Sequence, residues 1–352
     1  MFSKEPKRIL ALSGGGVRGI IEVAFLEAID REYKRRFGPD TRLCDVFDLV
    51  GGSSTGALIA TAIALGHPMD RIRNFYIQRA AKFFSQKRWW RFGRAPIFDC
   101  AGLEREIRID VGSTTLGDPS IQTLLAIVAK RLDTGAPWIL NNIPSAPYFE
   151  TPADNSYIGN RHFELARILR AATSAPTMFS PQHLEIVEGQ PLGVFVDGGL
   201  TPYNDPSLAL LKLARMRAFG LSWPTGPDKL FVLSLGTGRF RSRFAPADLA
   251  RMGPLRLAFH AVLGAVRDAE MHALTMMEWM AVSDAPSYLN SEVQSLGSET
   301  LADEALFRFL RLDIPLESHP HLQKMDDPMV IAPLYDLACQ HIDGLDLEKL
   351  LY

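Results

Sequence analysis

Residues 47–66 read FDLVGGSSTGALIATAIALG. The apolar residues Phe47, Leu49 and Val50 lead into a small-residue turn, Gly51-Gly52-Ser53-Ser54-Thr55-Gly56, and a second apolar run, Ala57 to Leu65, leads out of it. The first run has the length of a buried strand; the second has the Ala/Leu/Ile content of a buried helix. Between them stands G-x-S-x-G with Ser54 at its centre, a pattern that carries chemistry only as a strand–turn–helix corner. On so sharp a bend, side chains two residues either side of the serine would collide with neighbouring backbone, which accounts for Gly52 and Gly56. The helix that follows would aim its N-terminal amides and positive dipole end at the Ser54 hydroxyl, where negative charge would develop. Taken alone, the same letters also describe a Gly/Ser loop before a helix, so the rest of the chain has to decide.

The chain has 352 residues, 47% hydrophobic and 22% charged, with a net charge of -2. That balance is globular, and it sets up no field that would steer the protein to nucleic acid. Cys44, Cys100 and Cys339 are scattered and odd in number, which argues against disulfides and zinc and for a reducing compartment. No apolar run reaches the roughly 18 residues of a membrane span. The N-terminal apolar run is too short for a signal peptide. A cytoplasmic protein with neither metal nor cofactor is expected.

Upstream, Arg8 to Leu12 reads as a buried strand, followed by Ser13-Gly14-Gly15-Gly16-Val17-Arg18-Gly19 and then by helical spacing from Ile20 to Tyr33. Three successive glycines leave backbone amides uncovered and able to bind an anion. Gly14, Gly16 and Gly19 also satisfy G-x-G-x-x-G. A dinucleotide fold, however, wants an acidic residue at the end of the second strand. Asp40 lies in a Gly-Pro-Asp turn instead, and the second strand ends at Ser54.

Downstream, Leu124–Ala129 and Trp138–Leu140 read as two strands joined by a glycine turn. Residues 161–172 read as a helix and 193–196 as a strand ending at Asp197-Gly198-Gly199. Lys229 to Leu235 is a near-continuous apolar strand of the kind found in parallel sheets. A long helix from about Leu255 to Met280, a strand from Phe307 to Leu312 and a last helix from about Ile331 to His341 complete the chain. Nothing marks a clean domain boundary. Residues 71–98 contain eight Lys/Arg and no acid, interleaved with aromatics. Within them Phe83, Phe84, Lys87, Arg88, Trp89, Trp90 and Arg91 suit the headgroup region of an anionic bilayer, although a solvated helix with a buried aromatic stripe has the same composition.

In this order and spacing, Gly14–Gly19, Gly52–Gly56 and Asp197-Gly198-Gly199 resemble the patatin-like phospholipases. The small-residue stretch Ala171 to Pro181 and the turn Leu235-Gly236-Thr237-Gly238 are similar to that family too. The resemblance covers residues 8 to about 240 well and the remainder weakly. Many members carry Asp before the triple glycine, where this chain has Ser13.

The resemblance implies a three-layer α/β/α sandwich around a mostly parallel central sheet, with helical additions toward the C-terminus. Residues 1–352 would be a single domain with its catalytic motifs within 8–240. It implies a Ser–Asp dyad, Ser54 attacking an ester carbonyl and Asp197 taking its proton, with no histidine between. An oxyanion hole would come from Gly14, Gly15, Gly16, Arg18 and Gly19, with Gly52, Gly56, Gly198 and Gly199 supporting the elbow and the aspartate loop. The partner would be a phospholipid membrane surface, met from the cytoplasm at the inner face. Some bacterial members are antiviral effectors activated by cyclic nucleotides, so a small-molecule activator and a homo-oligomeric switch are further expectations. The rivals are an α/β-hydrolase using His260 or His272 as a third member, and a lipid-binding or storage protein on the same fold.

Overall fold

The computed structural model describes residues 6–80, 98–176, 178–240, 244–286, 294–296 and 299–352. Its strands and principal helices are β1 Lys7–Leu12, α1 Ile20–Phe37, β2 Leu49–Ser53, α2 Thr55–Ala64, α3 Met69–Asn74, α4 Cys100–Val111, β3 Leu124–Arg131, β4 Pro137–Asn141, α5 Leu165–Ala172, β5 Gln182–Leu184, β6 Gly193–Asp197, α6 Ser207–Arg215, β7 Leu230–Leu235, α7 Pro254–Trp279, β8 Ala281–Val282, β9 Phe307–Leu312, α8 Ile331–Ile342 and α9 Leu347–Leu351.

Nine strands form one mixed sheet. β1 lies between β2 and β7, parallel to both; β2 continues in parallel to β3, and β7 to β9 and then β8. β4 and β6 join β3 antiparallel, and β5 joins β6. Strand β1 is solvent-free from Ile9 to Leu12, as a central strand covered on both faces must be. Its alternation divides the core in two. Leu10 and Leu12 face α1, α2, α5 and α8, whereas Ile9 and Ala11 face α6 and the buried end of α7 around Met277. This is the three-layer arrangement expected from the sequence. Two of the nine strands, β8 and β9, come from beyond residue 240.

The register on β3 positions the site. β2 pairs with residues 124–128, ending at Ser53↔Val128, while β4 takes the other edge over residues 126–130. Ala129 pairs with both Trp138 of β4 and Asp197 of β6. Since a strand residue has only two sides, β6 lies on the edge that β2 occupies, in line with it.

Several expectations need correction. The helix expected from residue 161 begins at Leu165, because the backbone of 161–164 is engaged elsewhere. The Arg161 carbonyl accepts from Gly117, that of Phe163 from Leu116, and Glu164 bridges Thr115. The helix expected to be last, at 331–341, is followed by α9, started by the Asp346 carboxylate accepting from the Lys349 amide. The short strands β5 and β8 carry too few residues to announce themselves in sequence.

The cationic surface expected over 71–98 is also revised where it is described. Arg71 pairs with Asp110 at 3.1 Å, Arg73 with Glu27 at 3.4 Å, and Arg79 with Glu106 and Asp110, each at 2.7 Å. The acids missing from the stretch are supplied by α1 and α4. Tyr76 and Phe98 are core residues. Phe83, Phe84, Lys87, Arg88, Trp89, Trp90 and Arg91 lie outside the described residues.

Candidate active site

Ser54 sits between β2 and α2 with φ 51° and ψ -125°, a strained conformation for a residue with a side chain. The flanking glycines let that elbow exist. A Cβ on Gly52 would strike the backbone of Gly56 and Ala57, and one on Gly56 would stand 2.7 Å from the Ser13 carbonyl oxygen. β2 and α2 are thereby pressed onto the end of β1, and the Ser54 side chain is left partly exposed above the sheet.

Asp197 closes β6. The Ser54 hydroxyl donates to its Oδ2 at 2.7 Å, and the Gly199 amide donates to its Oδ1 at 2.7 Å. The carboxyl is 5% exposed. Burial pushes its pKa up to about 6, against the opposing pull of the bonds from Ser54 and Gly199. Gly198 has no room for a side chain, since a Cβ would strike the Val128 carbonyl oxygen and lie 2.8 Å from Ser53 Oγ. Among the described residues no histidine bonds to Ser54 or Asp197; His260 lies against the Phe244 ring at 4.8 Å.

The glycine turn lies beside the elbow, with Gly14 against the Ser54 Cβ. Its amides are not equally available. That of Gly14 donates to the Asn204 carbonyl at 3.1 Å, and that of Gly15 to the Thr55 hydroxyl at 3.2 Å. No acceptor for the Gly16 amide is found among the described residues. Gly16 also has φ +62°, a left-handed conformation suited to glycine.

The five residues expected to form an oxyanion hole differ in their surroundings. Gly14 is held by Asn204. The Arg18 amide is turned inward to the Gly15 carbonyl at 3.2 Å, and Gly19 is pressed against Tyr76. The Gly15 amide faces a rotatable hydroxyl, that of Thr55, and the Gly16 amide has no acceptor among the described residues. The Arg18 side chain is buried, with its guanidinium 5.1 Å from the Phe240 ring centre and its Nη1 without a partner among the described residues. Burial lowers its pKa to about 10.

Behind this loop lies a buried polar cluster that the sequence did not announce. Ser13 donates its amide to Glu22 Oε1 at 2.6 Å and its hydroxyl to the Leu235 carbonyl at 2.8 Å. Arg311 of β9 donates to Ser13 Oγ at 2.9 Å and to Ser234 Oγ at 2.6 Å, and pairs with Asp205. Asn204, next to Asp205, donates its side-chain amide to Glu270 of α7 at 3.0 Å. Residues from 270 to 311 thus brace the loop at 13–16. One signal was present: Arg308 and Arg311 interrupt an otherwise apolar strand, and a cation buried there needs a carboxylate. Which carboxylate depends on the tertiary fold.

No cluster of His, Cys, Asp and Glu suited to a metal occurs among the described residues, and no described helix is long and apolar enough to cross a membrane.

Comparison with known proteins agrees with this geometry. A family model described as patatin-like phospholipase matches residues 10–211. The chain is 26% identical over 299 residues to the cGAMP-activated phospholipase of Vibrio cholerae, spanning 80% of each chain. It is 27% identical over 237 residues to the cGAMP-activated phospholipase of Escherichia coli, covering 65% of this chain and 62% of that one. To patatin-like protein 2 of Arabidopsis thaliana it is 27% identical over 329 residues, covering 84% of this chain and 77% of the other. With the family match running through the glycine turn, the serine elbow and the aspartate at the end of β6, this chain belongs to the patatin-like phospholipase family, a family of hydrolases.

Proposed function

We propose that this protein cleaves acyl esters of membrane phospholipids with Ser54 as nucleophile and Asp197 as its base. The observation that carries this is the 2.7 Å bond between Ser54 Oγ and Asp197 Oδ2, made by a serine on a strained elbow. Ser54 Oγ attacks the acyl carbonyl as its proton passes to Asp197. The oxyanion is received by the amides of Gly15 and Gly16, the Thr55 hydroxyl rotating aside. Collapse expels the lysolipid alcohol, which takes the proton from Asp197, and water repeats the sequence on the acyl-enzyme. Loss of one oxyanion donor typically costs about 2.7–4 kcal/mol. A carboxyl raised to about 6 is still ionised at neutral pH and is a better proton acceptor than an ordinary aspartate near ~3.9.

The bonding of Asp197 to Ser54 and Gly199 favours a two-residue mechanism over a triad with His260 or His272. The participation of β9 in the same sheet as β1 supports residues 1–352 acting as one catalytic domain. Two relatives named as cGAMP-activated support gating by a cyclic nucleotide. Such gating would suit an antiviral effector held inactive in the cytoplasm, as a homo-oligomer or not, until it acts at the inner membrane face.

Fluorophosphonate labelling, with and without liposomes, tests the nucleophile. Wild type should label and Ser54→Ala should not; equal labelling would remove Ser54 from the role, and a fully active Ser54→Ala would leave a binding or storage protein. Release of fatty acid with and without cyclic dinucleotides tests the gate, which full ligand-independent turnover would exclude.

A further inference from the structure

The glycine turn has no side chains of its own to fix the planes of its peptides. Between Gly14 and Gly15 neither neighbour carries a Cβ, so that peptide could turn over at little steric cost. It carries the Gly15 amide beside Ser54, which makes its orientation part of the site. In a planar trans peptide the carbonyl and the N–H point in opposite directions, so whatever grips the carbonyl aims the amide.

The grip comes from the neighbouring strand. β1 and β7 run parallel with Leu12 opposite Leu235, and two residues beyond that pair Gly14 meets Thr237. The Thr237 hydroxyl donates to the Gly14 carbonyl at 3.0 Å, and Asn204 adds a longer bond from its side-chain amide at 3.4 Å. Thr237 is buried, and its side chain fills the place that a Cβ on Gly15 would take. On the far side of the same peptide, the Gly15 N–H meets the Thr55 hydroxyl at 3.2 Å. The next carbonyl, that of Gly15, is held within the turn, by the Arg18 amide at 3.2 Å and the Arg18 Nε at 3.5 Å. Of these two peptides, only the one bearing the Gly15 amide is gripped from distant parts of the chain.

We propose that Thr237 is a positioning residue for ester cleavage: its hydroxyl locks the Gly14 carbonyl so that the Gly15 amide points at the oxyanion. Thr237 touches no substrate. As charge builds on the oxyanion, the peptide is polarised and its carbonyl draws harder on the Thr237 hydroxyl. A bond that strengthens in the transition state acts on kcat rather than on KM. The proposal rests on the roles given above to Ser54 and the Gly15 amide.

The test is steady-state hydrolysis of soluble p-nitrophenyl butyrate, per active site counted with a fluorophosphonate. Thr237→Val keeps the branched shape and loses the hydroxyl. Its kcat should fall at least ~3-fold, and up to ~100-fold where the freed peptide turns over, with KM unchanged. Affinity for an alkyl trifluoromethyl ketone, which places a tetrahedral oxyanion on Ser54, should fall by the same factor as kcat/KM. Thr237→Ser, which keeps the hydroxyl and loses the methyl, should return kcat to within about twofold of wild type. Thr237→Ala carries the same expectations as Thr237→Val and replaces it if the valine protein does not fold. An unchanged kcat, a loss confined to KM, a loss that serine does not restore, or an unmoved ketone affinity would each overturn the proposal while leaving Ser54 in its role. Turnover that survives Ser54→Ala would overturn the proposal together with the reading of the site beneath it.

Discussion

Ser53 and Asp197 end two strands that point at each other along one edge of β3, occupying consecutive rungs opposite Val128 and Ala129. Ser54 and Asp197, the proposed nucleophile and base, 143 residues apart in sequence, are therefore spaced by a single strand. Few torsions separate them, and a β3 backbone held on both sides cannot easily relax. Their 2.7 Å bond is set by the rungs of a sheet rather than by the choices of two loops.

The first prediction concerns pH. With Asp197 raised to about 6 by burial, kcat/KM on a soluble ester should climb about tenfold per pH unit below 6 and level off above it. Asp197→Asn should abolish that limb together with most of the activity. A flat profile from pH 5 to 8 would exclude Asp197 as the base.

Gly198 offers a steric test of the abutting strands. Gly198→Ala would drive a methyl group into the Val128 carbonyl and toward Ser53 Oγ, where neither backbone can withdraw without breaking the pairing. We expect a loss of about 1–3 kcal/mol in urea unfolding and a larger proportional loss of turnover. Gly189→Ala, on an open turn at φ +70° with nothing near, should lose no turnover and show only the smaller cost of a left-handed alanine.

Arg311 is the cation of the buried cluster, and Asp205 is its carboxylate, 1% exposed. Arg311→Met would strand that charge, for which about 3–5 kcal/mol is typical. Asp205→Asn added to Arg311→Met should recover part of the loss, since an amide can stay neutral against Ser13 and Ser234. Additive losses in the double variant would mean that the pair is not coupled.

Glu22 is buried beneath the glycine turn, and burial raises its pKa well above the usual carboxylate range despite the bond from the Ser13 amide. The folded state then holds this proton more tightly than the unfolded chain, whose glutamate titrates near ~4.3. Stability from this group is complete below that pH and lost as pH rises through the folded value. Glu22→Gln, which can still accept from Ser13, should gain on wild type as pH increases from about 4.5 upward. Parallel melting-temperature curves for the two proteins would show that Glu22 is ionised in the fold.

Local features are readable along the chain. The G-x-S-x-G elbow, the triple glycine and the strand ending at Asp197 are legible because each depends on neighbours a few residues away. Small residues are required where backbones cross, and apolar period marks strand and helix. Strand β9 was legible to the residue, Phe307–Leu312, for the same reason. Which distant groups meet depends on how the folded layers come together. Asn204 takes the Gly14 amide, Arg311 finds Asp205, and acids from α1 and α4 neutralise Arg71, Arg73 and Arg79. Such encounters follow from strand order and register, and these arise from burying two faces of one sheet at once, a requirement of the whole chain that no short segment encodes.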